Sequence, residues 1–144
     1  MTEVHEEYSL SLILRAEAMD HDLVTQQLGI QPSRVWTKGD QRFSADGRPG
    51  YIVMMSGWSR ALKPDGEGFS TLEAALTAFS GQFSSKISTM QQLAKHYPDS
   101  IIDLVLFTSE TSTIALNFTN QQLAQLVAFG FDVETTIYTG MDGT

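Results

Sequence analysis

The sequence predicts an α+β fold: a mixed, largely antiparallel sheet of about six strands, with three to four helices packed on it. Three observations support this prediction. Some segments have apolar residues at every second position, which is typical of strands. They alternate along the chain with segments whose apolar residues recur at helical spacing. Residues that cap helices stand at the starts of the helical segments. The two ends of the chain also share one order of elements (strand, short capped helix, glycine, strand), which predicts two similar α/β halves.

Length and composition predict one domain. The chain has 144 residues, of which 42% are hydrophobic and 18% are charged, as is usual in globular proteins. We expect a single domain over residues 1–144, with an ordered core at about 8–138 and tails at 1–7 and 141–144. The chain contains no cysteine, which excludes disulfides, thiolate catalysis and cysteine-ligated zinc.

The start of the chain and its hydropathy bear on location. Residues 1–7 are acidic and polar, without the basic start and apolar run of a secretory signal. No apolar run approaches the roughly 20 residues that a membrane-spanning helix needs. We therefore expect a cytoplasmic protein that does not insert into a membrane.

The first strand and helix are predicted near the N-terminus. Apolar residues occupy every second position from Tyr8 to Leu14, so one face of this strand would be buried. Asp20 follows as the predicted N-cap of a short helix, because its carboxylate can accept hydrogen bonds from free backbone N–H groups. Gly29 is predicted to end this helix in the left-handed conformation, and Pro32 prevents its continuation.

Two strands and a turn are predicted next. Arg34–Phe43 forms the second predicted strand, which Gly39 could interrupt. Asp46-Gly47 is a turn signal, and Tyr51–Arg60 forms a third strand that would pair with the second as a hairpin. Residues 63–68 show no periodicity and are predicted to form a loop.

A long helical region follows. Ser70 and Glu73 match a capping box, with Ser70 as the N-cap. Apolar residues then recur at helical spacing from Leu72 to Tyr97. One helix over residues 71–97 would be about 40 Å long, which is too long for a domain of this size. A break is therefore predicted within residues 84–88, where serines compete for backbone hydrogen bonds.

The last third of the chain is predicted to contain three strands and one helix. Ile101–Phe107 is the most apolar run, typical of a central strand, Ile114–Phe118 alternates, and Phe131–Tyr138 is the last strand. Thr119 is predicted to cap the helix that lies between the last two strands, and Gly130 ends it. The apolar face of that helix would consist of Leu123, Leu126 and Val127.

Charge is distributed unevenly along the chain. The formal net charge is −8, but residues 34–63 hold six basic and two acidic residues, a local net charge of +4. The predicted hairpin is therefore a positive region on an acidic protein. Because affinity for duplex nucleic acid follows the number of phosphates neutralised, a region this small predicts no such partner.

Aromatic and basic residues interleave in this hairpin, which suggests a binding face for an anionic or aromatic ligand. Guanidinium groups would supply charged hydrogen bonds, and the rings would stack on the ligand. In the alternative interpretation, the tryptophans pack on helices and the basic side chains pair with acidic residues elsewhere. The candidate ligand-binding residues are Trp36, Lys38, Asp40, Arg42, Arg48, Trp58 and Arg60.

The Lys38-Gly39-Asp40 segment has a structural and a chemical interpretation. Gly39 would allow a positive φ angle or a bulge, and Asp40 would accept backbone N–H groups there. Alternatively, Lys38 and Asp40 form a pair for proton transfer, which would require perturbed pKa values in a cleft.

The sequence contains no motif for catalysis, cofactor binding or metal binding. There is no G-x-S-x-G elbow, no P-loop and no dinucleotide fingerprint. In Asp20-His21-Asp22, adjacent side chains at a helix start do not point together, and Asp20 is better used as a cap. No catalytic residue, cofactor or metal site is therefore predicted.

Several short motifs, taken in their order and spacing, resemble a known family. They are Leu28-Gly29-Ile30-Gln31-Pro32-Ser33, Trp36-Thr37-Lys38-Gly39-Asp40, Gly57-Trp58-Ser59 and Phe129-Gly130-Phe131-Asp132-Val133. Together they resemble the bacterial domain-of-unknown-function family 4279, over nearly the whole chain. The resemblance implies a small cytoplasmic α+β domain without an established activity, and it implies no catalytic residues.

Three function classes remain after these observations. The first hypothesis is a non-catalytic module that binds another protein, for example an immunity-type inhibitor, since an acidic surface would steer toward a basic target. The alternative is a small domain that binds or senses an anionic ligand through the hairpin at residues 34–60. The third class is an enzyme with a dispersed site, and a non-catalytic role is favoured over it. Homodimer formation through an edge strand is left open.

Overall fold

A five-stranded mixed sheet forms the centre of the fold, and a two-stranded hairpin stands beside it. The computed structural model describes residues 5–62, 68–110 and 113–140. The strands are β1 (Glu6–Ala16), β2 (Arg34–Trp36), β3 (Gln41–Phe43), β4 (Pro49–Ile52), β5 (Ser56–Ala61), β6 (Ile101–Thr108) and β7 (Asp132–Tyr138). The sheet has the spatial order β2-β5-β1-β6-β7, while β3 and β4 form the hairpin. Within the described ranges only β6 and β7 are parallel neighbours, so the predicted α+β fold with a largely antiparallel sheet is confirmed.

The described part of the chain contains four α-helices, which pack on one face of this sheet. They are α1 (His21–Leu28), α2 (Leu72–Phe83), α3 (Ile87–His96) and α4 (Asn120–Val127). Their buried side chains form one core with the inward-facing residues of β1, β5 and β6. A 3₁₀ turn at Ser84–Lys86 separates α2 from α3, which confirms the predicted break. None of the helices in the described ranges is long and apolar enough to cross a membrane.

The alternating pattern of the first strand is confirmed. The four apolar residues from Tyr8 to Leu14 are all buried against the helices, and the residues between them lie on the opposite face of the sheet. The strand begins at Glu6, so the ordered core starts before the predicted residue 8. The remaining parts of the predicted tails (1–4 and 141–144) and most of the predicted loop (63–67) lie outside the described residues.

Most of the predicted helix and turn signals are confirmed. The Asp20 carboxylate accepts a hydrogen bond from the Leu23 N–H at 3.1 Å, and Gly29 has a φ angle of 69°. Thr119 forms the capping box of α4, since its hydroxyl accepts from the Gln122 N–H and the Gln122 side chain accepts in return. Gly130, which follows α4, also has a positive φ angle, of 86°.

The predicted cap of the second helix is off by one residue. Thr71, not Ser70, is the N-cap of α2, and its hydroxyl accepts from the Ala74 N–H at 3.1 Å. Glu73 therefore lies one position too early to complete a capping box. The reason is tertiary: Phe69 is still extended, because its backbone pairs with Tyr8 of β1 at the edge of the sheet.

Three further predictions about elements are wrong. The predicted third strand, Tyr51–Arg60, is two strands in different sheets, because β4 pairs with β3 whereas β5 pairs with β1 and β2. Ile114–Phe118 is not a strand; its apolar side chains pack against the core without a partner strand. On α4 only Leu126 of the predicted apolar face is buried, because the following turn supplies Phe129 to the core instead. 

The two α/β halves have the same order of elements but different sheet connections. In the second half, β6 precedes α4 in the chain and β7 follows it, and these two strands are adjacent and parallel in the sheet. In the first half, β5 lies between β1 and β2 and is antiparallel to both. The strand inserted between β1 and β2 is β5, which follows the β3–β4 hairpin in the chain. The hairpin therefore lies at the β2 edge of the sheet, outside the shared core.

Gly81→Ala is expected to stabilise the protein by about 0.5–1 kcal/mol, because glycine in a helix interior loses more backbone entropy than alanine. Gly81 lies on the exposed face of α2, and no heavy atom lies within 4 Å of the position that a Cβ atom would take. Urea unfolding would measure the gain. Gly29→Ala is the contrasting variant: space is also available there, but the φ angle of 69° disfavours alanine, so this variant should lose stability.

Candidate functional site

A cavity of about 390 Å³ lies on the helix-free face of the sheet, beneath the β3–β4 hairpin. Its walls come from the end of β1, from β2, from the hairpin and from the link between β4 and β5. Three arginines, two aromatic residues and three apolar residues line it: Arg15, Arg34, Arg42, Trp36, Tyr51, Val53, Met54 and Met55. Smaller cavities of about 320 and 250 Å³ occur among the helices, and neither is lined by arginine or lysine.

The strand register brings the sheet residues of this cavity together. Gly57 of β5 is paired with Arg15 on one side and with Trp36 on the other. Directly paired residues point to the same face of a sheet, so Arg15 and Trp36 flank the bare backbone of Gly57. Arg34 lies two residues before Trp36 in β2 and therefore emerges on the same face.

Gly57 provides the surface on which the Trp36 ring lies. A Cβ atom at Gly57 would overlap Cε2 and Cζ2 of the Trp36 indole and would lie 2.6 Å from its Nε1. The Cζ atom of Arg34 is 5.8 Å from the ring centroid, within the range of a cation–π contact. His21 Nε2 donates to the Trp36 carbonyl oxygen at 2.9 Å, which joins β2 to α1. The indole thus orients the Arg34 guanidinium toward the cavity.

The hairpin is connected to the sheet through its base. The Gly39 N–H donates to the Val53 carbonyl at 2.8 Å, and the Val53 N–H donates to the Asp40 carbonyl at 2.9 Å. The Lys38 N–H donates to Ser56 Oγ at 3.0 Å, at the start of β5. Gly39 has a φ angle of 93°, so the predicted positive φ is confirmed. These contacts hold Arg42 and Tyr51, which belong to the hairpin, over the sheet residues.

No ion pair among the described residues neutralises the positive charge of the cavity. In the described part of the chain, ion pairs join Lys38 to Glu17 and Arg48 to Asp46, His5 Nε2 lies 3.5 Å from Glu7 Oε1, and none of these contacts includes a cavity arginine. Of the residues that the structure describes, no aspartate or glutamate lines the cavity. Arg42 Nε is buried and has no hydrogen-bond partner in the structure. A buried N–H without a partner is unfavourable, so an acceptor supplied by a ligand would stabilise this arrangement.

Of the seven residues in the predicted ligand-binding set, the structure brings Trp36 and Arg42 to the cavity. Lys38 lies at the hairpin base, where its ammonium group forms an ion pair with Glu17. Asp40 accepts the Thr37 N–H at 3.3 Å in the turn before β3, the structural role expected for it. Because Lys38 is paired with Glu17, the structure does not bring Lys38 and Asp40 together as a proton-transfer pair.

The other three residues of that set lie away from the cavity. Trp58 is fully buried on the helix side of β5, and its Nε1 donates to Thr25 Oγ1 at 3.0 Å. Arg60 points to the same side, where it donates to Gln82 Oε1 and to the Gln31 carbonyl. The Arg48 side chain is 84% exposed and belongs to the hairpin turn, where it pairs with Asp46. These three residues therefore do not belong to the cavity.

Two arginines of the cavity were missing from the predicted set. Arg15 ends the first strand on its outward-facing side, and Arg34 opens the positive region two residues before Trp36. The period of two along each strand would have placed Arg34 with Trp36 on one face, and Trp58 with Arg60 on one face. The sequence does not predict that Arg15 lies near Arg34 and Trp36, because that proximity depends on how β1 and β2 are each paired with β5.

No group of three or more His, Asp or Glu side chains that could hold a metal occurs among the described residues. Acidic groups on the helix-free face lie nearer to the opposite edge: Asp103 of β6 is paired with Glu134 of β7. Burial raises the pKa of the half-buried Asp103 carboxyl, repulsion by Glu134 raises it further, and attraction to Arg15 opposes both effects. The face is therefore positive at the hairpin end and acidic toward β7.

Asp103→Asn is expected to raise the melting temperature at pH 7. Since the pKa of Asp103 is higher in the folded chain than in the unfolded one, ionisation of this carboxyl destabilises the fold as the pH rises. The gain should be small at pH 4 and vanish below the unfolded pKa of about 3.9, because both states are protonated there. Thermal unfolding at pH 7 and pH 4 would measure it. A variant that is no more stable than the wild type at pH 7 would contradict the proposed penalty.

Comparisons with known proteins identify a family but no characterised relative. Searches of curated proteins and of solved structures found no match. A family model described as a domain of unknown function (DUF4279) matches residues 6–140, which includes every strand and helix of the fold. The chain therefore belongs to this family, as its motifs predicted.

Proposed function

We propose that the protein is a non-catalytic, cytoplasmic domain that binds a small anionic ligand in the cavity beneath the β3–β4 hairpin. The observation that carries the proposal is that three arginines line one cavity, with no carboxylate among its described lining residues. Clustered cations repel one another, so a fold without a bound anion would usually pair them with acidic residues. Among the described residues, the ion pairs of this protein involve other cations, and no carboxylate lines the cavity.

Arginine suits this role because of its geometry. The planar guanidinium presents several N–H donors that match the oxygens of a carboxylate or phosphate, and such charge-assisted bonds are stronger than neutral ones. The Arg34 guanidinium is already held against Trp36, so less conformational entropy is lost when an anion binds. The net charge of −8 opposes the approach of anions over long distances, and the local positive charge has to overcome it.

Tryptophan fluorescence provides the test. Trp58 is fully buried whereas Trp36 lines the cavity, so a ligand-dependent change would report on Trp36. Titration with an anion panel (phosphate, pyrophosphate, citrate, nucleoside phosphates) should give a saturable change for at least one anion, which weakens with added salt. Arg42→Ala and Arg34→Ala should each weaken binding at least tenfold. Arg48→Ala is the matched control, because Arg48 belongs to the same hairpin but not to the cavity.

The proposal would be contradicted if no anion of the panel gave a saturable change in fluorescence or a heat of binding in calorimetry. The same holds if Arg48→Ala weakens binding as much as Arg42→Ala, because the effect would then come from overall charge. A change that survives Trp36→Phe would have to come from Trp58, and it would place the ligand away from the cavity.

A protein partner is the second candidate function, favoured by exposed apolar residues on the outer surface of the hairpin. Phe43 is 65% exposed and Ile52 is 54% exposed, although both belong to strands. Phe43 and Ile52 lie on the side of the hairpin that faces away from the cavity, since only Arg42 and Tyr51 of these strands line it. Exposed apolar residues grouped in this way are typical of interaction surfaces.

Mutations in the hairpin distinguish the two candidate functions. If the hairpin binds a protein, Phe43→Ser with Ile52→Ser should abolish association with that protein while leaving anion binding unchanged. Association with a second copy, for instance by pairing of the β7 edge, would instead appear as a dimer in sedimentation experiments. A dimer that persists in the double hairpin variant would assign the interface to another part of the surface.

A further inference from the structure

We propose that the ligand of this cavity is an organic phosphate whose body contains a planar ring, as in a nucleoside monophosphate. This inference rests on the proposed anion-binding function and adds the chemical class of the ligand. It follows from four features of the cavity: its size, its division into a charged part and an apolar part, the exposure of one aromatic ring, and the number of its arginines.

The size of the cavity argues against a bare inorganic anion. Its volume of about 390 Å³ lies within the range of pockets that hold small organic ligands, about 300–1,000 Å³. A free phosphate would occupy a small part of this space and leave the remainder to water. Met54, which is exposed, and Met55, which is half-buried, would then face water instead of a ligand, whereas Val53 is already buried. A ligand with an organic body would bury the two methionines.

The lining divides into two chemically different parts. The arginines come from β1, β2 and β3, whereas the apolar residues come from the segment that joins β4 to β5. Anionic and apolar parts of one ligand would therefore contact different walls. Methionine side chains adapt to ligand shape and make favourable contacts with aromatic ring edges, which suits the wall that Met54 and Met55 provide.

Tyr51 indicates that the organic body contains a ring. Its side chain lines the cavity, yet the residue is 66% exposed, and the neighbouring Met54 is 76% exposed. Aromatic residues of this size usually bury most of their surface, so a ring left exposed at a cavity mouth is available for stacking. The indole of Trp36 already lies on Gly57 and beside Arg34, which leaves Tyr51 as the more accessible aromatic face.

The number of arginines favours a phosphate over a single carboxylate. A carboxylate is satisfied by one bidentate guanidinium, whereas a phosphate monoester has a charge near −2 and three terminal oxygens. Among the described residues, Arg34 and Arg42 have no carboxylate partner, and Arg15 is attracted to Asp103, which does not line the cavity. Three guanidinium groups therefore supply enough positive charge for one phosphate monoester and one partner for each of its three terminal oxygens.

Calorimetry with ligand fragments tests the inference. Adenosine 5′-monophosphate contains both parts, ribose 5-phosphate lacks the ring, adenosine lacks the charge, and inorganic phosphate lacks the organic body. The nucleotide is expected to bind at least tenfold more tightly than each of the other three. Ribose 5-phosphate binding as tightly as the nucleotide would overturn the ring requirement. Citrate binding more tightly than every phosphate would overturn the phosphate assignment.

Two variants at the hairpin sharpen this test. Tyr51→Ala should weaken binding of the nucleotide at least fivefold and leave ribose 5-phosphate unchanged, because only the ring contact is removed. Phe43→Ala is the matched control: Phe43 is 65% exposed on the other side of the hairpin, so it should affect neither ligand. Equal effects of Tyr51→Ala on both ligands would contradict the ring contact.

Failure of this inference and failure of the proposed function give different results. If anions bind in an arginine-dependent way without preference for a ring, the anion site stands and the ligand class is wrong. If no anion binds, or adenosine binds as tightly as its phosphate, the arginines do not hold an anion and both proposals are wrong.

Discussion

Trp58→Ala is expected to lower the free energy of unfolding by about 3–5 kcal/mol, the range for truncation of large aromatic residues in a core. Trp58 has no exposed surface, lies between Val35 and Leu14 in the sheet register, and belongs to the single core beneath the helices. The substitution also leaves Thr25 Oγ1 without the indole N–H that donates to it. For a domain with 5–15 kcal/mol of total stability, this is a large loss.

Urea and thermal unfolding would measure this loss, and the melting temperature should fall by roughly 10 °C. Trp58→Phe is the control that keeps most of the apolar volume and removes only the N–H donor, so it should lose much less. Trp36→Ala should also lose less than Trp58→Ala, because Trp36 is only partly buried. Equal losses at the two tryptophans would contradict the assignment of Trp58 to the core and Trp36 to the cavity.

Gly57→Ala is expected to lower stability by about 1–3 kcal/mol, as overpacking does, and to abolish ligand binding as well. The added Cβ atom would occupy the position of the Trp36 indole, and the surrounding β5 backbone is paired on both sides and cannot move away. The ring must therefore leave its place. Since Arg34 contacts that ring, its guanidinium would lose its orientation toward the cavity at the same time.

A double-mutant cycle separates this explanation from a general weakness of β5. Removing the ring by Trp36→Ala also removes the collision, so the Gly57→Ala substitution should be nearly neutral in that background. The expected coupling is about 1 kcal/mol or more. Additive losses in the double variant would show that alanine at residue 57 disturbs something other than the indole.

Much of the local structure could be predicted because it depends on neighbouring residues. The alternation from Tyr8 to Leu14 predicts a strand with one buried face, and all four apolar residues are buried. Asp20 and Thr119 cap helices because each lies within three residues of the N–H group that it accepts. The Ser70 prediction was wrong because a distant partner, Tyr8, keeps Phe69 extended and delays the helix.

The candidate site was predicted only in part, because it depends on contacts between segments that are far apart in the chain. The positive, aromatic hairpin region is visible in the sequence and contains Trp36 and Arg42. Which of its side chains share a face depends on where the strands break, and the predicted continuous strand to Arg60 mixed the two faces. Arg48 and Lys38 belong to the region but are paired with Asp46 and Glu17, a choice that composition does not reveal.

The amino-acid pattern alone determines that this chain forms a strand-and-helix domain with a positive segment near its middle, because periodicity, caps and charge are local properties. Only the tertiary structure decides that Arg15, Arg34 and Arg42 line one cavity. These arginines come from three strands, and the insertion of β5 between β1 and β2 brings Arg15 and Trp36 to the two sides of Gly57. Such a contact depends on sheet order and register, which are set by packing between segments far apart in the chain.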